Sequence, residues 1–308
     1  MMKTRRERIN GDRLTFFSSL ISFALILCFP AVAGAGMRAG LTLCAHAVIP
    51  SVFPSLILTD LLFSRPTEVI EGTLGRLFAR FFRVSPRGAV GWIAGLLCGF
   101  PVGAITVASD VRQGLISREE GEYLLSFVNN TGPAFLVGGV GLGLFGSAKV
   151  GWALYLLQIP VSLSVGFLFR PKAPFCRTRC ADSGIAAPDP VASIVRASEG
   201  CVRIVGFVCF FSVLSSLISL FLPEGPTLAL ASSCLEVGTG VARAASLAVP
   251  FPALPLAAFA VCFSGASVCL QTFAALNGTG MRRSFYWRGK IASGMIGTLL
   301  CTLFCLTK

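Results

Sequence analysis

Charged residues are scarce in this chain: Asp, Glu, Lys and Arg make up 13% of its 308 residues, and hydrophobic residues make up 54%. A soluble domain typically has about 25% charged residues, so this composition excludes a single soluble domain and predicts a polytopic membrane protein. The lipid bilayer is its first expected partner. Most of the uncharged runs approach the roughly 20 residues that a helix needs to cross a bilayer. They cover residues 14–37, 39–59, 88–109, 123–147, 150–169, 204–223, 244–281 and 291–307.

Residues for catalysis and metal binding are also rare. His46 is the only histidine, so a Ser/His pair with Ser264 or Ser267 is a remote alternative and we expect no enzyme. There is no G-x-x-x-x-G-K-[ST] motif, which excludes that type of nucleotide-binding loop. The close cysteine pairs, C-x3-C at 176–180 and 301–305, do not have zinc-site spacing, so no metal centre is expected.

The net charge of +12 is spread over short loops, which favours a role in membrane orientation over nucleic-acid binding. Basic residues precede the first apolar run, so we predict a cytoplasmic N-terminus and a place in the cytoplasmic membrane. Residues 1–37 are predicted to form a basic tail and a first membrane segment. Because A-V-A at 31–33 matches a signal-peptidase site, a signal anchor and a cleaved signal both stay open. Basic residues at 282–290, Lys290 included, are assigned to a cytoplasmic loop.

Two repeats are predicted, residues 38–170 and 204–308, joined by a cytoplasmic linker at 171–203. In the first repeat, residues 65–87 show the spacing of an amphipathic helix in the membrane interface, with a solvated linker as the alternative. If residues 88–109 crossed the membrane once, the basic linker would lie outside, against the positive-inside rule. A re-entrant hairpin at 88–109 fits the charges better.

The second repeat follows the same plan with the opposite orientation, and its hairpin at 227–245 opens outside. Both hairpins contain residues that interrupt helices, namely Gly99, Pro101 and Gly103 in the first and Gly238 and Gly240 in the second. The sequence distance from Gly99 to Glu236 nearly equals that from Asn129 to Ser264. Paired interruptions of this kind are typical of inverted-repeat transporters. The predicted fold class is an all-α polytopic membrane protein with about seven spans, an inverted repeat, two opposed re-entrant helical hairpins and broken transmembrane helices.

Glu236 is the first candidate for a solute or ion site, because a carboxylate at membrane depth is costly and usually faces a cavity or a partner. The alternative is a shallow external loop in which Glu236 is solvated or paired with Arg243. Asp60 and Asp110 lie at predicted interfaces, where we expect them to be solvated or to cap helices. A coupling cation, Na⁺ or H⁺, is the only cofactor-like species considered.

A second group of candidates lies where a helix should break. The S-x-x-E motif at 117–120 predicts a helix that begins near Arg118. Pro133 then falls inside this helix and, with Gly132, frees the carbonyl of Asn129. A purely structural kink is the alternative. The polar residues predicted to contact a solute or ion beside Glu236 are Asn129, Asn130, Thr131, Ser264, Ser267 and Gln271.

Four motifs of the first half are distinctive: I-P-S-V-F-P at 49–54, G-F-P-V-G-A at 99–104, S-D-V-R-Q-G-L-I-S at 109–117 and N-N-T-G-P at 129–133. They resemble motifs of the Gate-domain (nucleoside recognition) membrane proteins and, among these, the YlbJ group of sporulation integral membrane proteins. Looser matches follow at Glu236 and at 263–271. The resemblance implies a role in sporulation or spore envelope formation, in the mother-cell or forespore membrane.

Gate domains are in turn similar to the core of concentrative nucleoside transporters, in which two opposed hairpins and two broken helices enclose a nucleoside and a cation. Those carriers have Gln and Glu where this chain has Phe100 and Val102, and Asn where it has Leu235; only Glu236 matches. The resemblance thus implies a transporter-like protein for a small polar or ionic solute and does not transfer the nucleoside. The alternative is a non-transporting scaffold that binds partners, either further copies of the chain or other membrane proteins.

Overall fold

A computed structural model describes residues 5–63, 68–175, 189–247 and 250–307, and within these ranges every regular element is helical. The predicted features at 1–4, 64–67 and 176–188 lie outside the described residues. The α-helices are α1 (Arg5–Cys28), α2 (Pro30–Leu43), α3 (Ile49–Phe63), α4 (Glu68–Phe82), α5 (Gly88–Cys98), α6 (Val102–Arg112), α7 (Arg118–Leu124), α8 (Ala148–Leu168), α9 (Pro190–Ile218), α10 (Pro226–Leu235), α11 (Val237–Ala245), α12 (Pro250–Phe263), α13 (Gly265–Ala275) and α14 (Ser284–Leu306). Two π-helical segments, Cys44–Val48 and Ala134–Leu142, lie between α2 and α3 and before α8.

Five stretches of the described residues are long and apolar enough to cross a membrane. They are Pro30–Leu62, Ala148–Leu168, Pro190–Ile218, Phe251–Ala275 and Ser284–Leu306. The chain is therefore a multi-pass helical membrane protein, although about seven crossings were expected. The difference arises because two of the uncharged runs are divided: 14–37 is interrupted at Phe29 between α1 and α2, and 123–147 is divided between α7 and the π-helical segment.

The predicted boundary between the linker and the second repeat falls inside α9. This helix begins at Pro190, where the carboxylate of Asp189 accepts a hydrogen bond from the amide of Val191 at 3.0 Å. Residues 190–203, which the charge pattern assigned to the linker, are thus the first half of a continuous 29-residue helix. Charged residues on its exposed faces gave this stretch the composition of a loop.

Helix α4 covers most of the segment predicted to lie in the membrane interface. Phe78 and Phe82 are buried and their rings pack near Phe127, with centroids 6.0 and 5.2 Å away. Leu77 and Phe81, on another face, are about half exposed. Apolar residues on two faces suit a helix placed between the protein core and lipid, but the interfacial position itself stays a prediction.

The N-cap predicted at Ser117 is present, but the Glu120 carboxylate accepts from the amide and the hydroxyl of Ser85 instead of completing a capping box. The Ser117 hydroxyl accepts a hydrogen bond from the amide of Glu120 at 3.1 Å, and α7 begins at Arg118. The helix ends sooner than expected, at Leu124, and residues 129–132 have no regular structure. Pro133 therefore does not lie inside a helix, as the sequence predicted, but immediately precedes the π-helical segment. We call residues 129–132 the first break.

Helices α5 and α6 form an antiparallel pair, the first helix pair. A Cβ added at Gly91 would lie 2.8 Å from Val107, and one added at Gly103 would lie 2.9 Å from the Cα of Gly95. Small residues at these positions allow the close approach. The two helices match the bounds expected for the first hairpin within a few residues.

Helices α10 and α11 form the second helix pair and are separated by Glu236 alone. The ends of the two helices that lie away from Glu236 are close together, because Arg243 near the end of α11 forms a salt bridge of 3.0 Å with Glu224 just before α10. Gly240 packs on α10, since an added Cβ would lie 2.4 Å from the Ser233 hydroxyl. Gly238 faces Leu43 on α2, whose Cδ2 would be 2.3 Å from an added Cβ.

Candidate functional site

The bend of each helix pair packs against a break in the helix that follows it. Gly99 has φ +83°, and an added Cβ would lie 2.6 Å from the amide nitrogen of Gly132 in the first break. In the second half, Ser264 and Gly265 separate α12 from α13 with φ values of +71° and +70°. A Cβ added at Gly265 would lie 3.1 Å from the amide nitrogen of Glu236. We call Ser264 and Gly265 the second break; both halves thus repeat the same contact.

The backbone of the first break is held by a side chain from α8. Gln158 is buried, its Oε1 accepts a hydrogen bond from the Thr131 amide at 2.7 Å, and its Nε2 donates to the Thr131 carbonyl at 3.0 Å. Such pairing is necessary because unpaired backbone groups at membrane depth are costly. The sequence analysis missed Gln158, although a lone amide in an apolar run was the available signal.

The first break also contacts the second half of the chain. The Thr131 hydroxyl donates to the carbonyl of Val261 at 3.1 Å, and the Asn129 amide donates to the hydroxyl of Thr272 at 3.0 Å. Asn130 is engaged locally, donating to the carbonyl of Phe127 at 3.0 Å. The crossing of the two broken helices is thus a hydrogen-bonded junction.

Lys290 is buried at this junction, with 5% of its surface exposed. Its ammonium donates to the carbonyl of Asn129 at 2.5 Å, to the Ser264 hydroxyl at 2.9 Å and to the carbonyl of Cys262 at 3.4 Å. The sequence assigned Lys290 to a loop, which is wrong, because it lies within α14. Because the other basic residues at 282–290 are exposed, the charge pattern did not indicate that Lys290 is buried.

Glu236 is 1% exposed and is the N-cap of α11, where its Oε2 accepts a hydrogen bond from the Thr239 amide at 2.6 Å. A carboxylate at this end of a helix is stabilised by the helix dipole. Among the described residues no basic group lies within salt-bridge distance of it, and Arg243 pairs with Glu224 instead. The alternative of a solvated or Arg243-paired Glu236 does not hold.

A cavity of about 40 Å³ brings residues of both halves together. Glu236, Thr131 and Gln271 line it, with Gly132 from the first break and Phe100 from the bend of the first helix pair. A water molecule needs roughly 10–15 Å³, so this space suits water or one ion and not an organic solute.

A larger cavity of about 440 Å³, which we call the vestibule, lies between α3, α6, α9 and α13. Gln271 and Ile204 line both spaces. Gln271 is 6% exposed and donates to the Ser267 hydroxyl at 3.2 Å, and its Oε1 has no hydrogen-bond partner among the described residues. The volume of the vestibule is within the range of small-molecule sites, about 300–1,000 Å³.

The wall of the vestibule is highly charged. Its charged residues are Asp60, Arg87, Asp110, Arg112, Arg196, Glu199 and Arg203. Asp110 is buried and forms a 2.9 Å salt bridge with Arg87, so it is neither solvated nor a cap. Burial raises the pKa of Asp110, and the Arg87 guanidinium opposes this shift. Asp60 forms a salt bridge of 2.5 Å with Arg196, which ties α3 to α9.

Most of the predicted site residues thus fall into two neighbouring groups, while Asn130 and Ser267 belong to neither. Glu236, Thr131, Gly132 and Gln271 line the small cavity, and Asn129 and Ser264 hold Lys290. Of the residues predicted to interrupt the hairpins, Gly99 packs on the first break and Pro101 lines the vestibule. In the part of the chain that the structure describes, no three His, Cys, Asp or Glu residues could hold a metal ion together.

Comparison with curated proteins identifies a relative. The chain is 32% identical over 148 residues to the sporulation integral membrane protein YlbJ of Bacillus subtilis (strain 168). It is related to a sporulation membrane protein. The match covers 48% of this chain and 36% of the relative, so the chain aligns with little more than a third of that protein.

No family model matches the chain. No solved structure matches it either. The resemblance to Gate domains and to nucleoside transporters therefore stays a prediction.

Proposed function

We propose that this membrane protein is transporter-like, binding a small polar or ionic solute in the vestibule and a cation, H⁺ or Na⁺, beside Glu236. The observation that supports it is the placement of Gln271, which lines both the solute-sized vestibule and the ion-sized cavity. A buried amide with an unpaired oxygen between the two spaces can respond to the contents of both. The proposal includes no catalytic step.

The proposal includes an arrangement of the helices in the membrane. The two helix pairs are re-entrant hairpins of an inverted repeat, the first opening to the cytoplasm and the second to the outside. Its support is the repeated contact between a bend and a break, together with the basic residues Arg87, Arg112, Arg196 and Arg203 around the vestibule, which favour the cytoplasmic side. The N-terminus is then cytoplasmic.

The related protein is named for sporulation, and we propose that this chain also acts there, moving a solute across a membrane of the developing spore. A non-transporting scaffold is the competing proposal. It is favoured by one observation, the capping bond from the Thr239 amide, because a Glu236 that only caps a helix needs no solute.

Transport and the scaffold role can be distinguished by replacing the wild-type gene with genes for variant proteins in a spore-forming host. Glu236→Gln and Gln271→Ala should lower the yield of heat-resistant spores at least tenfold while membrane abundance stays normal. Glu224→Gln is the matched control, since this carboxylate belongs to the same helix pair and its side chain is 77% exposed. Full spore yield from both site variants at normal abundance would contradict transport and favour the scaffold.

A further inference from the structure

The contacts of the Lys290 ammonium are those of a bound cation. An ammonium group has three N–H donors, and three oxygens accept from it: the carbonyls of Asn129 and Cys262 and the hydroxyl of Ser264. No carboxylate among the described residues lies within salt-bridge distance of Lys290. A buried charge without a counterion must be stabilised by dipoles, and here only neutral oxygens do so.

The oxygens come from the ends of interrupted helices. Cys262 lies in the last turn of α12, and Asn129 follows the turn that ends the α7 segment. Carbonyls at the C-terminal end of a helix carry the negative end of its dipole. In broken-helix transporters in general, such carbonyls coordinate the coupling cation. Neutral carbonyl and hydroxyl oxygens suit a monovalent metal ion.

We propose that the Lys290 ammonium is a tethered substitute for a monovalent metal cation at the junction of the two broken helices. The wild-type protein accordingly binds no Na⁺ there, and removal of the side chain creates a Na⁺ site from the oxygens of Asn129, Cys262 and Ser264. Within the proposed function, this leaves Glu236 as the place for a coupling cation. The inference concerns cation binding alone, so it and solute transport can fail separately.

The alternative is that Lys290 only stabilises the fold by pairing exposed backbone groups. Both ideas predict that losing the side chain destabilises the protein. They differ in what restores stability, because only a cation site responds to the identity of the salt. A volume-matched variant adds a second distinction: methionine fills the space of the lysine stem and leaves no room for an ion.

The test uses purified full-length protein in detergent, with apparent melting temperatures measured in NaCl and in choline chloride at equal ionic strength. We expect the melting temperature of Lys290→Ala to rise in NaCl over choline chloride by roughly 2 °C or more beyond any rise in wild type, as for a ligand that binds only the folded state. Lys290→Met should respond to the two salts as wild type does, because Na⁺ bound beside Glu236 would raise the melting temperature of both proteins equally.

Lys290→Ser is a second variant, and its hydroxyl should support the same Na⁺ response. Three results would overturn the proposal. One is a NaCl response of both small variants that is no larger than that of wild type, and another is the same additional NaCl response in Lys290→Met. The third is failure of both small variants to fold even in high NaCl, because a bound ion should replace the lost contacts.

Discussion

Glu236 has two roles to separate at the scale of single residues. Its carboxylate caps α11 through the Thr239 amide, and it also faces the small cavity. A cap needs only an acceptor oxygen, which glutamine retains. A cation site needs the negative charge, which glutamine removes. Substitutions that remove only the charge, or both the charge and the acceptor oxygen, therefore show which of the two roles Glu236 has.

Glu236→Ala should lower the stability of the protein by about 0.5–2 kcal/mol, the usual cost of losing an N-cap side chain. Glu236→Gln should lose less than half of that, because its Oε1 can still accept from Thr239. Apparent melting temperatures of the purified proteins in detergent would measure the difference. Equal losses for both substitutions would mean that the charge itself stabilises the fold.

Lys290 shows the limit of sequence patterns for single residues. Four basic residues within nine positions indicate a loop, and for Arg282 and Arg283 this is correct, since α14 begins only at Ser284. Two turns into the helix, Lys290 is buried because it faces the junction, a surface that forms only when both halves of the chain come together. Glu236 could be predicted as a site residue because its neighbours in sequence are apolar. Lys290 could not, because its basic neighbours make it look like part of a loop.

At the scale of helices, the bend of the first pair depends on Gly99. Its φ of +83° is unfavourable for an L side chain, and an added Cβ would also clash with the backbone of Gly132. We expect Gly99→Ala to cost at least about 1–3 kcal/mol from backbone strain alone, with the clash in addition. A lower yield and a lower melting temperature of the purified protein would measure this.

Gly206→Ala is the matched control for Gly99→Ala. It changes the same residue type within α9, where nothing lies within 4 Å of an added Cβ. We expect no loss of stability from it. If Gly99→Ala melts within one degree of Gly206→Ala, the bend does not need the contact with the first break.

The first break should be equally sensitive to Gln158. Gln158→Leu introduces an apolar side chain of similar size and leaves the amide and the carbonyl of Thr131 unpaired, at about 1–3 kcal/mol for each buried group. The melting temperature should fall well below that of Gln113→Leu, a control at an exposed glutamine. A small effect would mean that other groups or water satisfy the break.

Local sequence patterns predicted where helices begin and where they are interrupted better than they predicted how far each helix extends. The S-x-x-E motif at Ser117 marked the start of α7, and the glycines and prolines at 99–103 and 132–133 marked real interruptions. The pattern could not show that α7 ends before Pro133, because the irregular chain at 129–132 is held through Thr131 by Gln158, 27 residues away along the chain. Long-range hydrogen bonds of this kind leave no mark in a local sequence window.

At the scale of the whole molecule, composition alone was enough to predict a multi-pass helical protein. The convergence of Glu236, Thr131 and Gln271 on one cavity was only partly predictable. Each residue could be predicted as a site candidate because it is a polar group in an apolar run. Which candidates line the same cavity depends on how each bend packs against a break. The vestibule was not predicted, because its wall comes from four helices that are distant in sequence.

If the two helix pairs have the opposite orientations proposed for them, their open ends should be accessible from opposite sides of the membrane. Gln113, beyond the end of α6, and Glu224, just before α10, are both exposed and lie at the open ends of the two pairs. If the pairs enter from opposite sides, these positions face opposite compartments.

A membrane-impermeant thiol reagent, applied to an otherwise cysteine-free protein in sealed cells and in inverted vesicles, distinguishes the two sides. Glu224→Cys should react in cells, and Gln113→Cys only in inverted vesicles. Reaction of both positions from one side would exclude opposed hairpins, since no arrangement with one pair open to each face could produce it.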